Sequence, residues 1–153
     1  MKYTLHSHCA GDEAMPVYLK NEIAAAIAAV TVKPAKGVAK KLRDAILASL
    51  QISGWSSEVS VSNGSDITIT SIKSGVGLCL QTGNMARMYA DLMKLQTLYL
   101  DNAIKSAVIV VPSQPMAQLL GSNIAQATRL ERELEIFKKA YHVPTLIYAL
   151  EQT

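Results

Sequence analysis

From Ala107 to Val111 every side chain is apolar, and all but the first are β-branched. A strand without a polar side cannot lie with one face in water; it belongs in a sheet covered on both faces, as parallel strands are between helical layers. The rest of the chain has to supply those layers. Leu19, Ile23, Ile27 and Val30 recur at helical spacing behind Pro16 and predict a helix over about 17–30. Lys33-Pro34-Ala35-Lys36-Gly37 interrupts it. A second helix is expected through Val38, Leu42, Ile46 and Leu50, with Lys40, Lys41 and Arg43 turned outward and a stop before Gly54-Trp55.

After Glu58 the period changes to two. Val59, Val61, Ile67, Ile69 and Ile72 alternate with Ser and Thr around Asn63-Gly64, a hairpin signal, and a further turn at Lys73–Gly75 leads into Val76, Leu78 and Leu80. These predict an antiparallel meander over about 57–62, 65–72 and 76–81, with Cys79 and Gln81 on one face of a central third strand. Thr82-Gly83-Asn84 then offers cap chemistry for a long helix striped by Met85, Met88, Leu92, Leu95 and Tyr99. Beyond the buried strand come a short helix near 115–120, a charged helix over about 126–140 and a last strand over 143–149. The order predicts one α/β domain over 1–153, a mixed sheet flanked by helices, with no repeat, low-complexity segment or linker.

A chain of 153 residues, half of them apolar, suffices for one core, and a formal charge of +3 permits contact with a polyanion without requiring it. Two cysteines without CxxC spacing point to a reducing, cytoplasmic setting and away from a disulfide scaffold. Ile23–Val30 is far short of the ~20 residues of a membrane span, and the N-terminal segment carries no apolar signal core.

Val76-Gly77-Leu78-Cys79-Leu80-Gln81-Thr82-Gly83-Asn84, the helix behind it and Val108-Ile109-Val110-Val111-Pro112 together resemble the active-site strand and following elements of type II restriction endonucleases of the BamHI/BglII kind, of the PD-(D/E)XK group. The similarity extends from Ser7-His8 through Gly54-Trp55 to Pro144. It implies a restriction-endonuclease-like domain that grips duplex DNA as a two-fold dimer and, where its metal site is intact, hydrolyses phosphodiesters with Mg²⁺. In that family the strand carries a glutamate, a spacer and then a glutamate or glutamine, with an aspartate about nine residues before the first glutamate. Residues two apart on a strand point together, so such carboxylates can share a hard cation.

This chain departs from that pattern. Gln81 matches the second position, but Cys79 occupies the glutamate's place and Thr70 the aspartate's. Thiols are poor ligands for Mg²⁺. The resemblance leaves Asp66 as the expected primary metal ligand, Glu58 as a further carboxylate and Gln81 as an orienting group. Asn84 is expected either to read base edges or simply to cap its helix. Ser122 and Asn123 match a second recognition loop less specifically, with a plain helix cap as the alternative. Arg87 and Lys94, or Lys36, Lys40, Lys41 and Arg43, are available to neutralise phosphates or simply form solvated helix faces. Two rival constellations are a zinc site at His6, His8 and Cys9, and a hydrolase pairing Cys79 with His142. Two functions follow: a Mg²⁺-dependent endonuclease with a displaced site, or a family member without cleavage that binds DNA or protein.

Overall fold

A computed structural model describes residues Met1–Thr153. Its centre is a five-stranded mixed sheet ordered β1-β7-β6-β5-β4, built from β1 (Lys2–His8), β4 (Ser71–Lys73), β5 (Val76–Leu80), β6 (Ser106–Pro112) and β7 (Thr145–Glu151). β5, β6 and β7 run parallel, while β1 and β4 are antiparallel to their neighbours. The reading of Ala107–Val111 as covered on both sides holds for all of β6. Val108 and Val110 join Leu78, Leu80, Leu146 and Tyr148 beneath α2 (Val17–Ala28), α3 (Ala39–Ile52) and α5 (Gln114–Leu120). Ala107, Ile109 and Val111 join Cys79 and Ile147 beneath α4 (Met85–Leu100) and α6 (Ala127–Ile136). The two clusters hold 20 and 19 buried residues, so neither face is left to water.

The expected meander divides into two sheets. β2 (Val59–Ser60) and β3 (Thr68–Ile69) form a small separate hairpin against α4, and only β4 and β5 enter the main sheet. The division falls at Thr70. Its buried hydroxyl accepts the Leu80 N–H at 3.0 Å, where a backbone carbonyl would have continued the ladder. Asn63-Gly64 does lie in a turn, with Gly64 at φ 75°, but the loop runs from Val61, whose N–H bonds Ile67, instead of closing over two residues.

The helix expected to reach 140 ends at Ile136. Tyr141 is drawn into the core, its hydroxyl 2.7 Å from that of Thr145, and the chain must unwind to deliver it. The final strand accordingly begins at Thr145 instead of 143. Strand β1 and the single turn α1 (Gly11–Ala14) carry too little apolar alternation to be anticipated. β1 is held by its register on β7, from Lys2 opposite Glu151 to His8 opposite Thr145. No helix is long and apolar enough to cross a membrane.

Candidate nucleic-acid interface

Two recognition segments expected from distant parts of the sequence meet at the carboxyl ends of β5 and β6. The Met85 N–H donates to Asn123 O at 2.9 Å, the Ala125 N–H to Gly83 O at 2.8 Å, and Asn84 and Ile124 form an isolated bridge. Asn84, Ser122 and Asn123 are exposed on this shared rim. Asn84 caps α4, its Oδ1 accepting the Ala86 N–H at 2.8 Å. One lone pair of that oxygen and both N–H donors of the amide remain for a ligand. Ligands of open parallel sheets characteristically bind outside the carboxyl ends of the strands.

Beside the rim opens a polar cleft of about 360 Å³. Leu80 and Gln81 form its floor, Glu58 and Thr68–Thr70 one wall, and Arg87, Asp91 and Lys94 of α4 the other; Arg43 reaches in from α3. The helix spacing puts Arg87, Asp91 and Lys94 on one stripe. Gln81 bridges strand and helix: its Nε2 donates to Asp91 Oδ2 at 2.8 Å, and its Oε1 accepts the Gly83 N–H at 3.1 Å. Lys94 Nζ lies 3.6 Å from Asp91 Oδ1. Burial pushes the Asp91 carboxyl above the usual carboxylate range, opposed by the Gln81 hydrogen bond and the Lys94 charge.

Asp91 is the residue that sequence reasoning missed. It adjoins the apolar stripe of α4, and its spacing of four from Arg87 and three from Lys94 was the available signal. Asp66 takes no part: it is exposed in the β2–β3 loop and does not line the cleft, because the hairpin has left the main sheet. Cys79 shares the α4 side of the sheet with Gln81 but lies sealed in the core, where burial pushes its thiol up. Glu58 lines the cleft as an exposed carboxylate, and Arg87 lines it too. Lys36, Lys40 and Lys41 stay outside it; Lys40 pairs with Asp44.

The rival constellations do not assemble. His8 Nε2 lies 2.9 Å from Tyr141 O, and no group of three or more His, Cys, Asp or Glu side chains is gathered at one point. His142 is exposed against Gln96 and Tyr99, away from the buried Cys79.

A hard divalent cation needs several oxygen donors converging on one point. Here the strand positions offer a neutral hydroxyl already bonded to Leu80 and a buried thiol. Of the two carboxylates in the cleft, Asp91 is engaged by Gln81 and Lys94 and Glu58 is exposed on the other wall, and three cationic side chains line the same walls. These residues do not fit magnesium.

The sheet, its helical layers and the rim at the strand ends define a restriction-endonuclease-type domain. The sequence matches the family model of restriction endonuclease BglII/BglIII over residues 3–150, and the chain belongs to that family. Among solved structures it resembles restriction endonuclease BglII complexed with a DNA 16-mer. The TM-score is 0.86 at 14% identity, covering 100% of this chain and 79% of that one. Free BglII gives 0.77 at 15% identity, covering 100% and 81%. At such identity the likeness is one of fold. No curated protein matches the sequence.

Proposed function

We propose that this chain is a duplex-DNA-binding protein of BamHI/BglII type, with a degenerate PD-(D/E)XK motif, whose grip on DNA does not depend on a metal at β5. The carrying observation is the rim: Asn84 and the Ser122–Asn123 loop, tied together by backbone hydrogen bonds, stand beside a cleft with three cationic side chains. In this reading Asn84 and Asn123 face base edges, Arg87 positions the duplex through phosphate, and a second copy of the chain presents the same surface to the other half-site. A cytoplasmic setting suits the unpaired Cys9 and Cys79.

A second reading, a Mg²⁺-dependent endonuclease, would require Asp91 and Gln81 to leave their present partners and converge with Glu58 of the same cleft on a cation. One experiment separates the two. Binding isotherms are measured on selected and random duplexes in chelator at several salt concentrations, then repeated with Mg²⁺ or Mn²⁺ while cleavage is followed. Binding in chelator without cleavage in metal is expected. Asn84→Ser keeps the cap but removes the amide, and should weaken the selected duplex by about ten- to a hundredfold, leaving the random duplex and its salt slope nearly unchanged. Metal-dependent cleavage that is lost in Asp91→Ala would establish the nuclease. No binding to any duplex would leave a protein-binding role.

A further inference from the structure

We infer that the cleft between β3, β5 and α4 is a metal-independent site for one phosphodiester or phosphate group, held by Arg43, Arg87 and Lys94. The first support is the pairing state of its arginines. Neither Arg43 nor Arg87 takes part in any of the ion pairs of the fold, although both line a cleft that also contains Glu58 and Asp91. Guanidinium groups match phosphate oxygens in a planar fork, and two of them reaching one polar cavity from different helices leave their donors to a ligand.

The second support is charge. Three cations face two carboxylates, which leaves one net positive charge to meet the single negative charge of a phosphodiester. The same balance opposes a divalent cation. The third is the bracing of the walls. Asp91 holds Gln81 through one oxygen and faces Lys94 with the other, while Gln81 holds the Gly83 turn. Arg87 lies against that turn, its Nη1 being 3.7 Å from where a Cβ on Gly83 would stand. Asp91 is therefore a positioning residue. Its charge also moderates the site, since a carboxylate this close repels the anion that its neighbours attract.

The inference deepens the DNA-binding reading by naming the group that the cleft holds, and its source is the duplex backbone. Titration of the ¹⁵N-labelled protein with inorganic phosphate, in chelator and at constant ionic strength, tests the site alone. Shifts are expected at Gln81, Gly83 and Arg87. Arg43→Gln and Arg87→Gln should each weaken binding by roughly tenfold, about 1.4 kcal/mol. Asp91→Asn should tighten it, and Lys2→Gln, on the far edge strand, should leave it unchanged. Phosphate shifts that arise only with Mg²⁺, or that spare the cleft, would overturn the inference even if duplex DNA binds. A parallel arm measures the arginine variants on a random duplex in chelator. Weakening there supports the backbone as the source. Phosphate binding at the cleft with no affinity for duplex would sustain the anion site and overturn the DNA reading.

Discussion

Asp91 shows what a single residue's surroundings cost and provide. Its carboxylate is largely covered, and burial raises its pKa in the folded protein above the unfolded value despite Gln81 and Lys94. A group so shifted binds its proton more tightly when folded. Its contribution to stability is therefore full below the unfolded pKa and is lost as pH rises through the folded one. At pH 7.5 the ionised Asp91 is a burden on the fold. Asp91→Asn keeps an acceptor for Gln81 and should raise the Tm there by about 2–4 °C, the shift that roughly 1 kcal/mol brings in a domain of this size. The gain should shrink as the pH falls from 7.5 towards the acid range and the wild-type carboxyl takes up its proton. Thermal scans of both proteins across that range decide the matter, and a variant less stable than wild type at pH 7.5 would contradict it. At Asn84 the opposite holds: the side chain serves its own helix first, and a substitution that removes the cap confounds stability with recognition.

Among the elements, β5 and α4 carry the cleft, and the remainder hold them in place. α2, the end of α3 and β4 are joined at Glu22, which accepts hydrogen bonds from Lys73 at 2.8 Å and from the buried Trp55 ring at 2.9 Å; Lys73 also reaches Ser53 O. On the opposite flank the turn α1 presses on β7 through Gly11. A Cβ there would stand 2.1 Å from the carbonyl oxygen of Thr145 and 2.6 Å from its nitrogen, both backbone atoms that cannot yield. Gly11→Ala should thus cost about 3 kcal/mol or more, or prevent folding. Gly77→Ala is the contrast. Its methyl would meet the side-chain ends of Leu95 and Ile104 at 3.1 and 3.2 Å, and these can give way. Denaturant unfolding of the two variants should place Gly11→Ala well below Gly77→Ala, and equal losses would refute the backbone clash. The hairpin β2–β3 is the element that misled: it contributes Thr68 and Ile69 to the cleft wall but carries Asp66 away from it.

For the whole molecule, the proposed reading of two half-sites requires two copies related by a two-fold axis. The groove between α4 and the segment that follows α6 is the apolar face available for such pairing. It is lined by Tyr89, Leu92, Met93 and Phe137, of which Met93 is 73% and Phe137 49% exposed. Large apolar side chains so displayed favour a partner over water. Sedimentation velocity should find a concentration-dependent dimer, and the double change Met93→Lys with Phe137→Lys should shift it to monomer without unfolding it. Persistence of the dimer would place the two-fold axis elsewhere.

Much of the architecture was legible from the chain alone. The polar-free run in β6, the alternation into β5 and the apolar stripes of α2, α3 and α4 each record how one segment meets solvent, and burial drives such a pattern wherever the segment lies. The capping segment at Asn84 and the cleft residues Gln81 and Arg87 were legible for the same reason, as local chemistry at a strand exit. Tertiary structure alone decided that Thr70 would turn the chain out of one sheet into another, that β1 would pair with β7 at the other end of the sequence, and that Asp91 would be covered. It also decided that Arg43 would meet Arg87 and Lys94 over a floor from β5. Periodicity is a property of neighbouring residues, whereas the meeting of charges from separate helices depends on how the helices cross the sheet, which no single segment encodes.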